Sequence, residues 1–304
     1  MNACDYIDSF MSYLVSERHY SKATAEVYAP ALTSLLDFVG GAYGVSSWGE
    51  VTDGHVREWV VDMMSNGYST LTVNKKLSAL RSFYRFMNMR GFVKVNPTQR
   101  VKGPKNEKRL PEFVRENEMD TLLDRVKFSD NFEGRRDHLI IMLFYSCGLR
   151  LAELVGLDLN SVDFYTSSLK VLGKRNKQRI IPFGEELRDE LKEYLNARSL
   201  QSGAGCTAAL FLGKNGGRIS RSTVEIMVHN YLSQVTTLKK CSPHVLRHSF
   251  ATAMLNNGAE IEVVRQLLGH QSIATTEIYT HTTFEELKKA YSKAHPRSEA
   301  KGEE

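Results

Sequence analysis

The sequence predicts a mainly α-helical protein with one small antiparallel β-sheet, built as an N-terminal helical bundle followed by a larger α+β domain. Three observations predict it. Helical apolar periodicity fills four segments before residue 105. A basic stretch broken by Asn96-Pro97 and Gly103-Pro104 then carries no periodicity. Beyond it, helical segments surround two short β-like runs joined by a Gly-Lys turn. A chain of 304 residues also exceeds what one core of usual size accommodates, so two domains are expected, 1–105 and 106–304.

The helices of the first domain fall at about 5–15, 24–39, 55–64 and 70–89, with Gly40-Gly41 and Asn66-Gly67 as stops. The last places Leu77, Leu80, Tyr84 and Met87 on one stripe and leaves Lys75, Arg81, Arg85 and Asn88 largely elsewhere, a partly basic face. Charge alone does not separate a nucleic-acid contact from a solvated face.

In the second domain, segments 119–126 and 137–147 read as helices. The latter is almost wholly apolar from Leu139 to Phe144, hence buried, and Gly148 suits its left-handed stop. A short helix contains Arg150 and Leu154. Residues 168–172 and 179–182 look like strands, with Gly173-Lys174-Arg175-Asn176-Lys177 as their turn. Helices follow at about 185–198, 222–234, 243–256, 261–268 and 275–280, then an amphipathic one at 284–294. Ser242 and Pro243 read as N-cap and first residue of the helix carrying His244 and Arg247.

Composition bounds the class. Apolar residues make up 42% and charged residues 25%, ordinary for a globular protein, and no run approaches the roughly 18 apolar residues of a membrane span. No membrane partner is expected. The start, Met1-Asn2-Ala3-Cys4-Asp5, lacks a signal core. The scattered Cys4, Cys147, Cys206 and Cys241 suit reduced thiols better than a disulfide frame or zinc site, which points to the cytoplasm. A net charge of +5 argues weakly for a polyanionic partner. Its distribution says more: Lys94, Arg100, Lys102, Lys105, Lys108 and Arg109 face the single acid Glu107 between 94 and 109. That excess suits a phosphate backbone and a plain solvated linker equally well.

Five motifs stand in order: Gly-Leu-Arg-Leu-Ala-Glu-Leu at 148–154, the Gly173-Lys174 turn, Pro-His-Val-Leu-Arg-His at 243–248, Leu-Gly-His at 268–270 and Ile-Tyr-Thr-His at 278–281. Singly each has a duller reading. Tyr279 is one of 13 tyrosines, and Arg150 alone is a helix-capping surface arginine. His244 and His248 have the spacing of a zinc helix, but its glutamate is absent and no third ligand is spaced for it, so no metal is expected.

Together, in this order and spacing, the motifs resemble the tyrosine site-specific recombinases, the phage integrase family, through essentially the whole chain. The Xer-type branch is the most similar, including a Ser21-to-Thr24 helix start and the stretch Leu77-Ser78-Ala79-Leu80-Arg81. The resemblance implies a helical core-binding domain and a catalytic domain, without a preceding arm-binding domain. It implies that Arg150, Lys174, His244, Arg247 and His270 activate a DNA phosphate, that Tyr279 is the nucleophile, and that Glu153 supports Arg150.

The chemistry suits these residue types. Arginine's planar fork matches a phosphate and stays charged, so Arg150 and Arg247 can clamp the charge that gathers in an in-line transition state. A tyrosine phenol can hold the bond energy as a phosphotyrosyl ester, given cations or a base to help it lose its proton. Lys174, at the hairpin tip, could protonate the leaving 5′ oxygen. Neither ATP nor a divalent ion is required, so no cofactor is expected.

The resemblance further implies that four subunits, of this chain or a paralogue, would hold two double-stranded recombination sites in a synaptic tetramer and exchange strands through a Holliday junction. The stripe Phe284, Leu287 and Tyr291 would dock onto a neighbouring subunit. Resolution of chromosome or plasmid dimers, with roles in chromosome partition and cell division, is the leading reading, and a DNA translocase is a further candidate partner. The alternatives are an integrase or invertase of a mobile element or phase-variable locus and, from another class, a non-catalytic DNA-binding protein. Lys22, Thr24, Lys75, Arg81, Arg175 and Arg221 are candidates for DNA contact, which the sequence does not rank.

Overall fold

The structure is a computed structural model describing residues 2–18, 20, 22–106, 112–173, 177–201, 203–269 and 281–298, with backbone alone at 22–25 and 281–283. The chain divides into two compact units, Met1–Arg109 and Leu110–Glu304. Among the described residues no helix is long and apolar enough to cross a membrane, and all four cysteines are free thiols.

The first unit holds α1 (Ala3–Ser16), α2 (Lys22–Tyr43), α3 (Asp53–Ser65) and α4 (Thr70–Met89). Side chains satisfy the orphan amides at three helix starts: Asn2 accepts from the Asp5 amide, Thr52 from His55 and Ser69 from Thr72. Leu77, Leu80, Tyr84 and Met87 of α4 are all buried, packed with Phe10, Leu32, Trp48 and Trp59. The Tyr84 hydroxyl donates to the Trp48 carbonyl at 3.0 Å, so this buried phenol leaves no polar atom stranded. One expected stop fails. Helix α2 runs through Gly40-Gly41 to Tyr43 and ends at Gly44, whose φ of +66° lets the Val45 amide return to the Val39 carbonyl. A mid-helix glycine costs about 1 kcal/mol, less than the burial of Val39 and Leu35 on the same helix returns.

Segment 101–106 is tied to α4. Arg81 donates to the Val101 carbonyl at 2.7 Å, and the Asn74 amide donates to the Pro104 carbonyl at 2.8 Å and to the Asn106 side chain at 3.0 Å. A methyl group at Gly103 would sit 1.9 Å from Asn74 Oδ1, so a larger residue there would displace Asn74 from these bonds.

The second unit holds α5 (Glu116–Asp124), α6 (Phe132–Cys147), α7 (Leu151–Val155), β1 (Val162–Asp163), β2 (Ser168–Leu172), β3 (Gln178–Pro182), α8 (Glu185–Ser199), α9 (Arg221–Leu232), α10 (Pro243–Asn256), α11 (Ile261–Leu268) and α12 (His281–Ala294). The sheet is antiparallel in the order β1-β2-β3, with Leu169 opposite Ile181 and Leu172 opposite Gln178. The two-residue β1 is too short to show in an apolar pattern. Helix α6 is buried continuously from Leu139 to Cys147 and packs between α8 and α10.

Helix α12 departs from expectation. Of its stripe, Leu287 and Tyr291 are buried with Ala294 in the core of their own unit, against α10, α11 and β3, while Phe284 is half-buried. After it, Arg297 meets Asp120, Asp124 and Glu186, which fastens the segment to α5 and α8.

Candidate active site

Gly148 starts the site. It ends α6 in the left-handed conformation, φ +57°, and an added methyl would come within 2.4 Å of Phe250 on α10. Turn geometry and close approach therefore both demand glycine. The turn delivers Arg150 as the N-cap of α7, where its amide donates to Glu153 Oε2 at 2.8 Å and its guanidinium to Oε1 at 2.7 Å. The three-residue spacing of the Arg-Leu-Ala-Glu motif thus supplies the carboxylate half of a capping box and also pairs the two side chains.

Glu153 is buried and serves more than Arg150. Arg179 of β3 meets it through two parallel bonds of 2.8 and 2.9 Å, and Arg247 of α10 lies 3.9 Å away. Burial pushes the Glu153 carboxyl up, but the hydrogen bonds and charge of Arg179, then those of Arg150, outweigh it and bring it down to about 2.

The same arginines reach the C-terminal end of α11. Arg179 Nε donates to the Leu267 carbonyl at 2.8 Å, Arg247 Nη2 to Leu268 at 2.7 Å and Arg150 Nη2 to Gly269 at 3.3 Å. Arg247 also donates to the Gly148 carbonyl. Three successive carbonyls at the negative end of a helix each receive a guanidinium, the complement its dipole favours. Gly269 closes α11 with φ +64°.

The charge does not balance. Among the described residues, three guanidinium groups face one carboxylate. Arg247 is buried, and that burial, followed by the charge of Arg150, lowers it to about 9 despite Glu153. His244, exposed one turn before Arg247, is held below its ordinary value by desolvation and then by His248, Lys240, Arg247 and Arg150. These influences favour the neutral imidazole, able to donate or accept. A buried cation excess of this kind suits an anion with several oxygens, such as a phosphodiester.

The structure brings Arg150, Glu153, His244 and Arg247 into one neighbourhood. Lys174, Arg175, His270 and Tyr279 lie outside the described residues, as do the side chains of Lys22 and Thr24. Lys75 is exposed on α4 and Arg221 exposed at the first position of α9, while Arg81 is half-buried and bound to Val101. Ser242 takes the N-cap position of α10, yet its buried hydroxyl finds no partner among the described residues. Pro243 at the first helical position already removes one amide that would need capping.

Sequence reasoning missed Arg179. Strand alternation puts it on the same face as buried Ile181, and a charge on a core face needs a partner, so the signal was present.

The sequence profile of the phage integrase family matches residues 112–286, and that of the phage integrase N-terminal SAM-like domain matches residues 7–91. The chain is 37% identical to the tyrosine recombinase XerC of Chlorobaculum tepidum over 322 residues, covering 97% of this chain and 95% of that one. It is also 37% identical to the tyrosine recombinase XerC of Natranaerobius thermophilus over 295 residues, covering 95% and 98%. In fold it is similar to the XerH site-specific recombinase bound to a palindromic difH substrate in a post-cleavage complex, with TM-score 0.71, 21% identity, and coverage of 90% of this chain and 81% of that one. The chain therefore belongs to the phage integrase family and is a tyrosine recombinase, an enzyme of site-specific recombination that cleaves and rejoins DNA strands.

Proposed function

We propose that this recombinase cuts one strand of its site by attack of Tyr279 on a phosphorus, forming a 3′-phosphotyrosyl ester as the bond to the 5′ oxygen breaks. Arg150 and Arg247 clamp the nonbridging oxygens, His244 and His270 hydrogen-bond them, and Lys174 gives a proton to the leaving 5′ oxygen. The 5′ hydroxyl of the partner strand then attacks the ester and releases the phenol, so strand number and bond energy are conserved. The observation that carries this reading is the cation excess around Glu153, which keeps Arg150 and Arg247 in one place and leaves their charge short of an anion.

Residues 1–105 act as the core-binding domain and 106–304 as the catalytic domain. Exchange passes through a Holliday junction in a synaptic tetramer of this chain or a paralogue, and the biological task is resolution of chromosome or plasmid dimers, with a DNA translocase as candidate partner. Likeness to relatives named XerC supports that assignment. The test is a suicide substrate carrying the host recombination site. Wild-type protein should give a covalent adduct on denaturing gels, and Tyr279→Phe should bind the same DNA and give none. An adduct with the variant would remove Tyr279 from its role, and no adduct with wild type would remove the reading.

A further inference from the structure

We propose that Arg179, which touches no DNA in this scheme, is a positioning residue of the cleavage site: it keeps Glu153 ionised and oriented so that Glu153 can hold Arg150, and it anchors the end of α11. The inference rests on the reading of the site given above.

Arg179 is 5% exposed, so it has no solvent role to explain it. Its guanidinium is committed on three sides, to both oxygens of Glu153 and to the Leu267 carbonyl. Neither contact is local, since 26 residues separate it from Glu153 and 88 from Leu267. One rigid fork therefore couples strand β3, the N-terminus of α7 and the C-terminus of α11. A methyl at Gly269 would lie 3.1 Å from Arg179 Cδ, so the arginine stem also fills the space beneath the helix stop. Position 270, where the expected phosphate-binding histidine stands, is the next residue.

Glu153 is the group whose protonation exposes this role. Among the described residues the charged and titratable groups around it are Arg150 at the start of α7, Arg179 of β3, and Arg247 of α10, with His244 of α10 beyond the two flanking arginines and the Cys147 thiol of α6 beside Arg179. Helix α11 contributes its end carbonyls. Arg179 is the foremost of the influences that lower the carboxyl, opposing burial. Without it, burial is opposed by Arg150 and Arg247 alone and the carboxyl rises. A protonated Glu153 would lose its charge attraction for Arg150 and let the clamp drift, and misplacement by about 1 Å can cost about 10²-fold in rate.

The experiment measures single-turnover adduct formation on the suicide substrate between pH 5 and 9, with DNA affinity measured alongside, for wild type, Arg179→Met, Arg179→Lys and the double variant Arg179→Met/Glu153→Gln. The ratio of wild-type to variant rate cancels the titration of His244 and of the nucleophile. For Arg179→Met that ratio should reach about 10² and grow as pH falls, at unchanged DNA affinity. In the double variant, where position 153 has no proton to gain, the ratio should be flat. A ratio near one, or an acid limb that persists in the double variant, overturns the inference.

Arg179→Lys keeps a cation beside Glu153 and serves if the methionine variant does not fold. A single ammonium lacks the planar fork that meets both Glu153 oxygens and the Leu267 carbonyl together, so the lysine variant should lose at least about tenfold in rate without an acid limb. Wild-type rate in Arg179→Lys overturns the inference. In every arm, a wild-type adduct separates failure of this inference from failure of the functional reading.

Discussion

Replacing Glu153 with glutamine should cost the second unit about 3 kcal/mol of stability at neutral pH, and the loss should vanish in acid. Glutamine keeps the shape but removes the charge facing Arg150, Arg179 and Arg247. In the fold the carboxyl titrates at about 2, against an ordinary 4.5. A group held down in this way stabilises the folded state fully above 4.5, because the unfolded chain binds the proton first, and its contribution is lost as pH falls from 4.5 towards 2. That difference corresponds to roughly 3 kcal/mol, and breaking a buried pair by removing one partner costs a similar 3 to 5 kcal/mol or so. Urea unfolding at pH 7 and at pH 3 reads it out. Both tryptophans, Trp48 and Trp59, lie in the first unit, so fluorescence follows the bundle and far-ultraviolet circular dichroism adds the second unit. With about 1 to 3 kcal/mol lost per molar urea, the circular-dichroism midpoint should fall by roughly 1 M or more at pH 7 and by about half that or less at pH 3, while the fluorescence midpoint stays put. An unchanged midpoint at pH 7, or an undiminished shift at pH 3, would refute the charge argument.

Three further outcomes follow from the same geometry. Arg247→Ala should slow adduct formation by roughly 10² to 10³, the usual cost of one transition-state donor, while near-normal cleavage in single-turnover gels would defeat the clamp. Gly148→Ala should lower stability by about 2 kcal/mol or more in urea unfolding, since it imposes both a positive φ and a 2.4 Å approach to Phe250; a neutral substitution would show that the turn relaxes freely. His295 is fully buried and burial lowers it to about 4, so the unfolded chain takes up its proton first and stability should fall by roughly 3 kcal/mol as pH drops from 6.5 to 4. His295→Gln should flatten that limb of the stability profile, and an unaltered limb would assign it elsewhere.

Much of the architecture was legible because it depends on near neighbours. Helix α10 spans 243–256 and α11 spans 261–268, as periodicity and the proline and glycine punctuation indicate. Gly40-Gly41 misled because a packed helix tolerates glycine when the residues around it are buried. The stripe on α12 was read correctly as a buried face, yet amphipathicity names no partner, and it packs on its own unit. Arg81, a candidate for DNA contact on charge alone, also donates to the Val101 carbonyl, a contact that no local pattern announces.

By itself the sequence determined most of the elements, many of their ends, and which chemical groups the second unit carries, because helix caps, strand alternation and motif spacing are decided within a few residues along the chain. Only the tertiary structure decided that Arg150, Arg179 and Arg247 share Glu153 and the last carbonyls of α11. Those contacts join residues 26, 88 and 119 positions apart, and the pairing rests on burial, which makes a lone guanidinium or carboxylate too costly to leave without its counterpart.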